Sequence, residues 1–525
     1  GDDTRKWGPP YIKDRQDQET NESAYYLSAN RNKRSVAIDI ATDDGQKLIR
    51  QILKHCDILV ENYKVGGLAK YGLSYEDLKN EYPDAFRSIW LQSYDYIYID
   101  LNFALHYCSH KIESIEEIYC RLFKFIENIL LEVNPNKKIY FTTDGSAPLA
   151  KILLQRKRRS AMAFQHEDTQ KPNPLLFTPG TDFMQSLKSN MSIFIQYLTY
   201  IFNVDVEFLN KDSDEAELKL KKKLSENITD FSSHLFVSND ADVILLLTTL
   251  NNYKNVFVYD KKSNHTLSIY KLMDLHTSKV GLTQNPGLDF TAINLFLGND
   301  YLPKVRYVNF LKLWSAYKNI SLNNSDGLII NVDNQMCINF NFLFKFLNSL
   351  IMLIKPTFIK NASHEDLMSE MYKNYYDGFA WCITTYTNGI CHRYDYMFGY
   401  ETSPHPLGLI FNINFTHNLI NTELSFRSNA LPSELYSILL LPKSYKHLIN
   451  KKYYKFIENE KCLYTEESCE KCKCLMSKIK ELKSCKEQSK PEIMKTVKLL
   501  GLHKKQHSML TIDDILDLHS KFSKV

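Results

Sequence analysis

Apolar residues along the chain fall into short runs and helical stripes that take turns, and several of the runs end in an acid. YIYID reads as a strand ending at Asp100, KKIYFTTDG as a strand ending at Asp144, and HLFVSNDAD as a strand ending at Asp240 and Asp242. The branched run VILLL that follows Asp242 has the look of a buried strand as well. INLFLGNDYLP is an apolar segment of helical character ending at Asp300. Nearer the start, RSVAIDI alternates like a strand, GQKLIRQILKHC has helical spacing, DILVEN is a short apolar strand, and LSYEDLKNEYP is a helix stopped before Pro83.

Strands alternating with helices predict an α/β fold with a parallel-rich central sheet flanked by helices. The texture changes at Ser93, where tyrosine, lysine, asparagine and isoleucine become frequent. The expected division is 1–92, a partial α/β segment; 93–310, the main core; 311–450, a helical region; and 451–525, a tail rich in lysine, glutamate and cysteine.

In an open parallel sheet, ligands bind outside the carboxyl ends of the strands, so acids at several strand ends can converge. Glu215 and Glu217, in DSDEAELK, join Asp100, Asp144, Asp240, Asp242 and Asp300 as candidates. Two like charges about 4 Å apart repel by roughly 4 kcal/mol at an effective dielectric near 20. Such a group needs cations, and hard oxygen ligands suit Mg²⁺ or Mn²⁺. Two ions would clamp the attacking and leaving oxygens of an in-line phosphoryl displacement. Taken singly, an aspartate after a strand is a turn or helix cap; recurrence is what points to a site.

Soon after Asp144, the helical stretch APLAKILLQRKRRS puts Lys151, Gln155, Arg158 and Arg159 at i, i+4, i+7 and i+8, on one face. Cations and an amide on one face can bind a terminal phosphate; a solvated basic helix is the plainer alternative.

These blocks, in chain order, resemble the 5′→3′ exoribonucleases of the Xrn type over residues 93 to about 440. The likeness is carried by YIYIDLNFALHYCSH, TTDGSAPLAKILLQRKRR, FTPGTDFM, EAELK, SNDADVILL, FLGNDYLP and YYDGFAWCITTYTNGI. The resemblance implies an Xrn/PIN-like nuclease core that hydrolyses single-stranded RNA bearing a 5′-monophosphate, with two Mg²⁺ or Mn²⁺ ions. It implies metal ligation by Asp100, Asp144, Glu215, Glu217, Asp240, Asp242 and Asp300. It implies 5′-phosphate binding by Lys151, Gln155, Arg158 and Arg159, and stacking of the first bases on His106 and Trp381. Ala216 stands where the family has glycine and Leu218 where it has histidine, which bears on activity.

GDDTRKWGPP, YYLSANRNKRSVAIDI and VENYKVGGLAKYGLSYEDL resemble family III CoA-transferases of the succinate–hydroxymethylglutarate type. The resemblance implies vestigial CoA contacts at Arg5, Asn62, Tyr63 and Lys70. It stops at IWLQ, before that family's catalytic aspartate, so residues 1–92 read as a fragment from a gene fusion or a mis-joined gene. The chain begins at Gly1 and is expected to be an incomplete product.

Composition adds limits. With 44% hydrophobic and 24% charged residues the chain is a soluble globular type, and a net charge of +4 does not by itself argue for nucleic acid. No apolar run is long enough to span a membrane, so no membrane partner is expected. The 11 cysteines are an odd number, six scattered between Cys56 and Cys391 and five between Cys462 and Cys485, which predicts a reducing, cytoplasmic setting. Cys469 and Cys472, with Cys462, Cys474, Cys485, His503 and His507, could form a zinc site, although the long gap before the histidines is unlike a finger. The alternatives are a CoA-transferase, an inactive RNA-binding relative and a DNA flap nuclease. No protein partner is identifiable.

Overall fold

The computed structural model describes residues 10–53 with gaps, 86–87, 91, 93–464 with short gaps (111, 166–171, 239–240, 262–264, 323–325, 333–334, 357–358, 360–369, 401–402 and 414–427), isolated positions between 471 and 499, and 512–524. The chain forms two compact units, Gly1–Pro83 and Asp84–Val525. The division falls at Pro83, not after residue 92, and the expected boundaries at 310 and 450 lie inside the second unit.

In the first unit, strands Tyr11–Lys13 and Glu19–Ser23 pair antiparallel, followed by helices Ala24–Asn30 and Asp43–Leu53. The second helix lies where the spacing predicts one. Val36, Ile38 and Asp39, inside the expected strand RSVAIDI, belong to no strand. A strand needs a neighbour to satisfy its N–H and C=O groups, and no described segment supplies one. DILVEN and LSYEDLKNEYP lie outside the described residues.

The second unit is built on a seven-stranded sheet: β1 (Phe86–Arg87), β2 (Tyr94–Asp100), β3 (Pro135–Thr142), β4 (Asp205–Leu209), β5 (His234–Val237), β6 (Val256–Asp260) and β7 (His265–Ser268). The spatial order is β1-β7-β6-β5-β2-β3-β4. The run from β6 to β4 is parallel; β7 pairs antiparallel with both β6 and β1. β2 therefore sits at the centre of the parallel run. The chain moves outward through β3 and β4 on one side, then returns to place β5 and β6 on the other. That reversal is the point at which open α/β sheets form a crevice.

Period-2 alternation sorts the two faces. Ile97, Ile99, Ile139 and Phe141 join one cluster with helices α1 (Leu101–Cys108), α2 (Ile115–Val133) and α4 (Asp182–Phe202). Tyr98, Tyr140 and Phe236 face the other way, where Tyr98 stacks between Tyr140 at 5.3 Å and Phe236 at 4.9 Å. α3 (Leu149–Gln165) lies between α2 and α4 in the chain and helps form a separate cluster with the C-terminal region. α2 forms because Ser114 caps Glu117 N–H at 3.2 Å and an apolar stripe recurs at Ile118, Leu122, Phe125, Ile126, Ile129 and Val133. It ends at Asn134, in the left-handed region at φ 46°. Truncating one such residue, Ile126→Ala, would cost about 2–5 kcal/mol.

α5 (Ala216–Asn227) and α6 (Ala241–Thr248) follow β4 and β5. The run VILLL lies within α6, so the expectation of a buried strand is corrected. A short apolar run carries no period to separate strand from buried helix. α7 (Ile269–Val280), α8 (Pro286–Leu295), α9 (Phe310–Ser321), α10 (Phe340–Met352) and α11 (Glu370–Asn388) supply a large helical cluster. α12 (Ser433–Leu440) and α13 (Ile512–Phe522) pack with α3 in the further one. Among the described residues no helix is long and apolar enough to cross a membrane.

Candidate active site

The acids lie where the sheet directs them. Asp100 closes β2 and caps α1, accepting from Asn102 N–H at 2.8 Å. Asp144 lies just past β3, and two contacts tie it to the Asn102 side chain: Asn102 Nδ2 donates to its carboxylate at 3.1 Å, and its backbone N–H donates to Asn102 Oδ1 at 3.0 Å. Its second carboxylate oxygen accepts from Ala216 N–H at 3.0 Å, so Asp144 sits on the N-terminus of α5. Asn102, which the sequence reading passed over, thus joins the first two acids.

Glu215 and Glu217 arrive with α5. Glu215 is 3% exposed and pairs with the Lys151 ammonium and the Tyr301 hydroxyl. Asp300 lies in the loop after α8; Lys151 reaches it at 3.0 Å and Arg158 at 2.9 Å. Asp242 is in the first turn of α6, where its charge acts on Cys382 and Tyr386 of α11. Asp240 lies outside the described residues.

The electrostatics mark a crowd of negative charge. Burial first, and then Glu215, Asp144 and Asp100, push the Glu217 carboxyl well above its usual range. Glu215 is raised by burial and by Asp144 and Asp300, with Lys151 acting against them. Burial opposes the Lys151 charge, but Glu215, Glu217, Asp300 and Asp144 outweigh it and hold the lysine firmly protonated. Asp300 loses some stability as an anion to burial and regains more from Lys151 and Arg158, so its carboxyl is lowered.

Among the described residues, no three potential ligands stand together closely enough to hold an ion as the side chains lie. Lys151 supplies the positive charge between Glu215 and Asp300. In chemistry, though, the donor set is all carboxylate, which fits a hard divalent cation.

The basic face of α3 divides in two. Lys151 and Arg158 turn to the acids; Arg159 donates to Thr178 Oγ1 at 2.8 Å and to the Gln155 carbonyl. The opposite side of the helix is structural: Arg156 donates to the carbonyls of Leu439 and Leu463.

His106, on α1, keeps an exposed ring that meets Phe177 edge-on at 5.2 Å. Desolvation, and then Arg159, lower its pKa, while Asp144 acts the other way. Trp381 differs from its expected role. It is 2% exposed, stacked on Tyr396 at 4.8 Å and edge-on to Tyr301 at 5.1 Å, so it offers no open face to a base.

The two departures from the family pattern fit the backbone and core where they stand. Ala216 opens α5 and is absent from the positive-φ residues, so nothing there requires glycine. Leu218 is 1% exposed in the core with Leu246 and Leu302. The unusual backbone belongs instead to Asp214, at φ 68°, whose carboxylate accepts from Cys391 N–H at 3.2 Å, Lys211 at 2.5 Å and the Tyr394 hydroxyl. Lys219 is buried as well and donates to Thr143 O at 2.6 Å and Lys211 O at 2.8 Å, bracing the loop that carries Asp144. Both escaped the sequence reading because their partners are distant in the chain or on the backbone.

Arg5, Asn62, Tyr63 and Lys70 lie outside the described residues, as do most of the candidate zinc ligands: Cys469, Cys472, Cys485, His503 and His507. Cys462 lies in a short 3₁₀ turn, and Cys474 is an exposed free thiol.

Comparison with known proteins gives two family matches. Residues 1–85 match the model for CoA-transferase family III, and residues 70–259 that for the XRN 5'-3' exonuclease N-terminus, so the two overlap over 70–85. Succinate--glutarate CoA-transferase of Agrobacterium fabrum is 48% identical over 79 residues, covering 15% of this chain and 20% of that protein. 5'-3' exoribonuclease 1 of Schizosaccharomyces pombe is 28% identical over 186 residues, covering 30% of this chain and 14% of that protein. The chain thus matches only a fifth or less of the length of either relative. The catalytic core of Rad2 in complex with DNA substrate overlays with a TM-score of 0.34 and 13% identity, over 63% of this chain and 90% of that one, a likeness too loose to bear on function.

Proposed function

We propose that this protein is a metal-dependent 5′→3′ exoribonuclease that hydrolyses single-stranded RNA carrying a 5′-monophosphate. The observation that carries the reading is that Lys151 and Arg158 of α3 pair with Glu215 and Asp300, while Asn102 links Asp100 to Asp144 at the N-terminus of α5. The match of residues 70–259 to an exonuclease family supports it.

Asp100, Asp144, Glu215, Glu217, Asp240, Asp242 and Asp300 would hold two Mg²⁺ or Mn²⁺ ions, whose chemistry there would be to lower the pKa of a bound water and to stabilise charge on the leaving oxygen. Lys151 and Arg158 bind the terminal phosphate, and Gln155 and Arg159 extend that surface. Asn102 holds the Asp144 carboxylate in place. The open ring of His106 stacks on a leading base, a contact that tolerates any sequence. A cytoplasmic location is part of the proposal and accords with the free thiols at Cys108, Cys120, Cys382, Cys391 and Cys474 among the described residues.

A second reading, a relative that binds 5′-phosphorylated RNA without cutting it, draws on the Lys151 pairing with Glu215 and Asp300. A 3′-labelled RNA with a 5′-phosphate or a 5′-hydroxyl, incubated with Mg²⁺ or EDTA, separates the two. Mg²⁺-dependent loss of the 5′-phosphate substrate alone, abolished by Glu217→Gln, is expected. Tight binding without turnover would favour the second reading.

A further inference from the structure

Glu215 is buried more deeply than Asp100, Asp144, Glu217, Asp242 or Asp300. It stands at the N-cap of α5, yet its side chain makes no capping bond, so the helix does not fix its carboxylate. Two other groups do. Oε1 takes the Lys151 ammonium and Oε2 takes the Tyr301 hydroxyl. Under the proposed function, Lys151 turns to the substrate phosphate. Tyr301 then remains as the neutral donor to the acid.

Tyr301 is itself held from below. Its ring meets Trp381 edge-on at 5.1 Å with an interplanar angle of 87°. Trp381 stacks on Tyr396 at 4.8 Å, and the Tyr396 hydroxyl donates to Asn374 O at 3.2 Å. The Trp381 indole N–H has no hydrogen-bond partner among the described residues. The three rings form a pile that rises from the core and ends in a hydroxyl on Glu215.

We propose that Tyr301 is a positioning residue that holds the Glu215 carboxylate toward the divalent-cation site, and that Trp381 acts through Tyr301. This rests on the metal-dependent reading above. Partners that orient metal ligands are worth about 10–100-fold in metal affinity or activity.

The test is Mn²⁺ affinity of the full chain without RNA, read as free Mn²⁺ by electron paramagnetic resonance. Tyr301→Phe removes only the hydroxyl and is expected to weaken binding by about 10–100-fold. Trp381→Phe, which keeps an aromatic edge, should stay close to wild type, whereas Trp381→Leu should weaken binding and add little on top of Tyr301→Phe. In a Glu215→Gln background, loss of the hydroxyl should change nothing further. A Tyr301→Phe protein that binds Mn²⁺ like wild type overturns the positioning role alone. An equal loss with and without Glu215 also overturns it, since that would be a general structural effect. If the wild-type chain binds no Mn²⁺, the metal reading falls and the positioning role falls with it.

Discussion

The Lys151 ammonium lies 3.0 Å from an Asp300 carboxylate oxygen while pairing with Glu215, so one cation from the basic face of α3 neutralises two acids from different elements. Arg158 backs it at Asp300. The surface proposed for the phosphate and the acids proposed for the metal are therefore joined by these ion pairs.

Replacing this lysine tests both roles. Lys151→Met leaves Glu215 buried without its counter-ion, and breaking a buried pair costs about 3–5 kcal/mol. The variant should melt well below wild type in EDTA and recover part of the difference in Mg²⁺. It should also lose about 10–100-fold of its preference for a 5′-phosphate over a 5′-hydroxyl, the worth of a charge-assisted hydrogen bond. Melting curves with and without metal, and competition between the two RNAs, check each outcome.

Asn102 is 7% exposed and links Asp100 to Asp144. Asn102→Ala should cost about 1–3 kcal/mol by leaving buried groups unpaired. Turnover should fall by about 10–100-fold, as for other groups that orient metal ligands. An unchanged turnover in a folded variant would remove Asn102 from the site.

Restoring the family residues should not help. Ala216→Gly replaces a buried helical alanine and should cost about 0.5–1 kcal/mol. Leu218→His puts an imidazole into the apolar cluster of α8 and α11 and should cost about 1–3 kcal/mol, with no gain in activity. Thermal unfolding and RNA decay measure both.

Acid should weaken the sheet through His234. Burial lowers its pKa from 6.5 to about 4, with Asp95 acting upward and Lys137 downward; the Tyr98 hydroxyl and Ser232 Oγ lie at 3.0 and 2.7 Å from its ring nitrogens. Between those two pH values the unfolded chain binds the proton and the folded chain does not. Its contribution is complete above pH 6.5 and is lost as pH falls toward 4, by about 3 kcal/mol at most. Glu215, Glu217 and Asp289, all raised, act in the opposite sense, so the readout is a difference. The drop in melting temperature from pH 7 to pH 5 should be smaller in His234→Gln than in wild type.

The placement of Asp100 and Asp144 was legible because parallel strands share one carboxyl edge, so a residue at a strand end also lands at that edge. Lys151 and Arg158 were legible because helical spacing fixes a face. Trp381 was not, since both sides of α11 carry aromatic residues and the pattern does not say which side the core covers. Tyr301 was hidden for a related reason: its partners, Glu215 and Trp381, lie 86 and 80 positions away. Asp214 had no signal, because an aspartate at φ 68° looks like any other in sequence.

The pairing of Phe86 with Leu267 and of Arg87 with Thr266 sets where the second unit can be cut free. The change in amino-acid texture suggests starting a shorter protein at Ser93. That cut would remove β1 and leave the backbone of β7 bare along one side, a template for joining a second molecule. A protein starting at Asp84 keeps the cover in place. The shorter one should self-associate on concentration where the longer stays single, so a difference of nine residues decides whether the excised unit remains usable in solution.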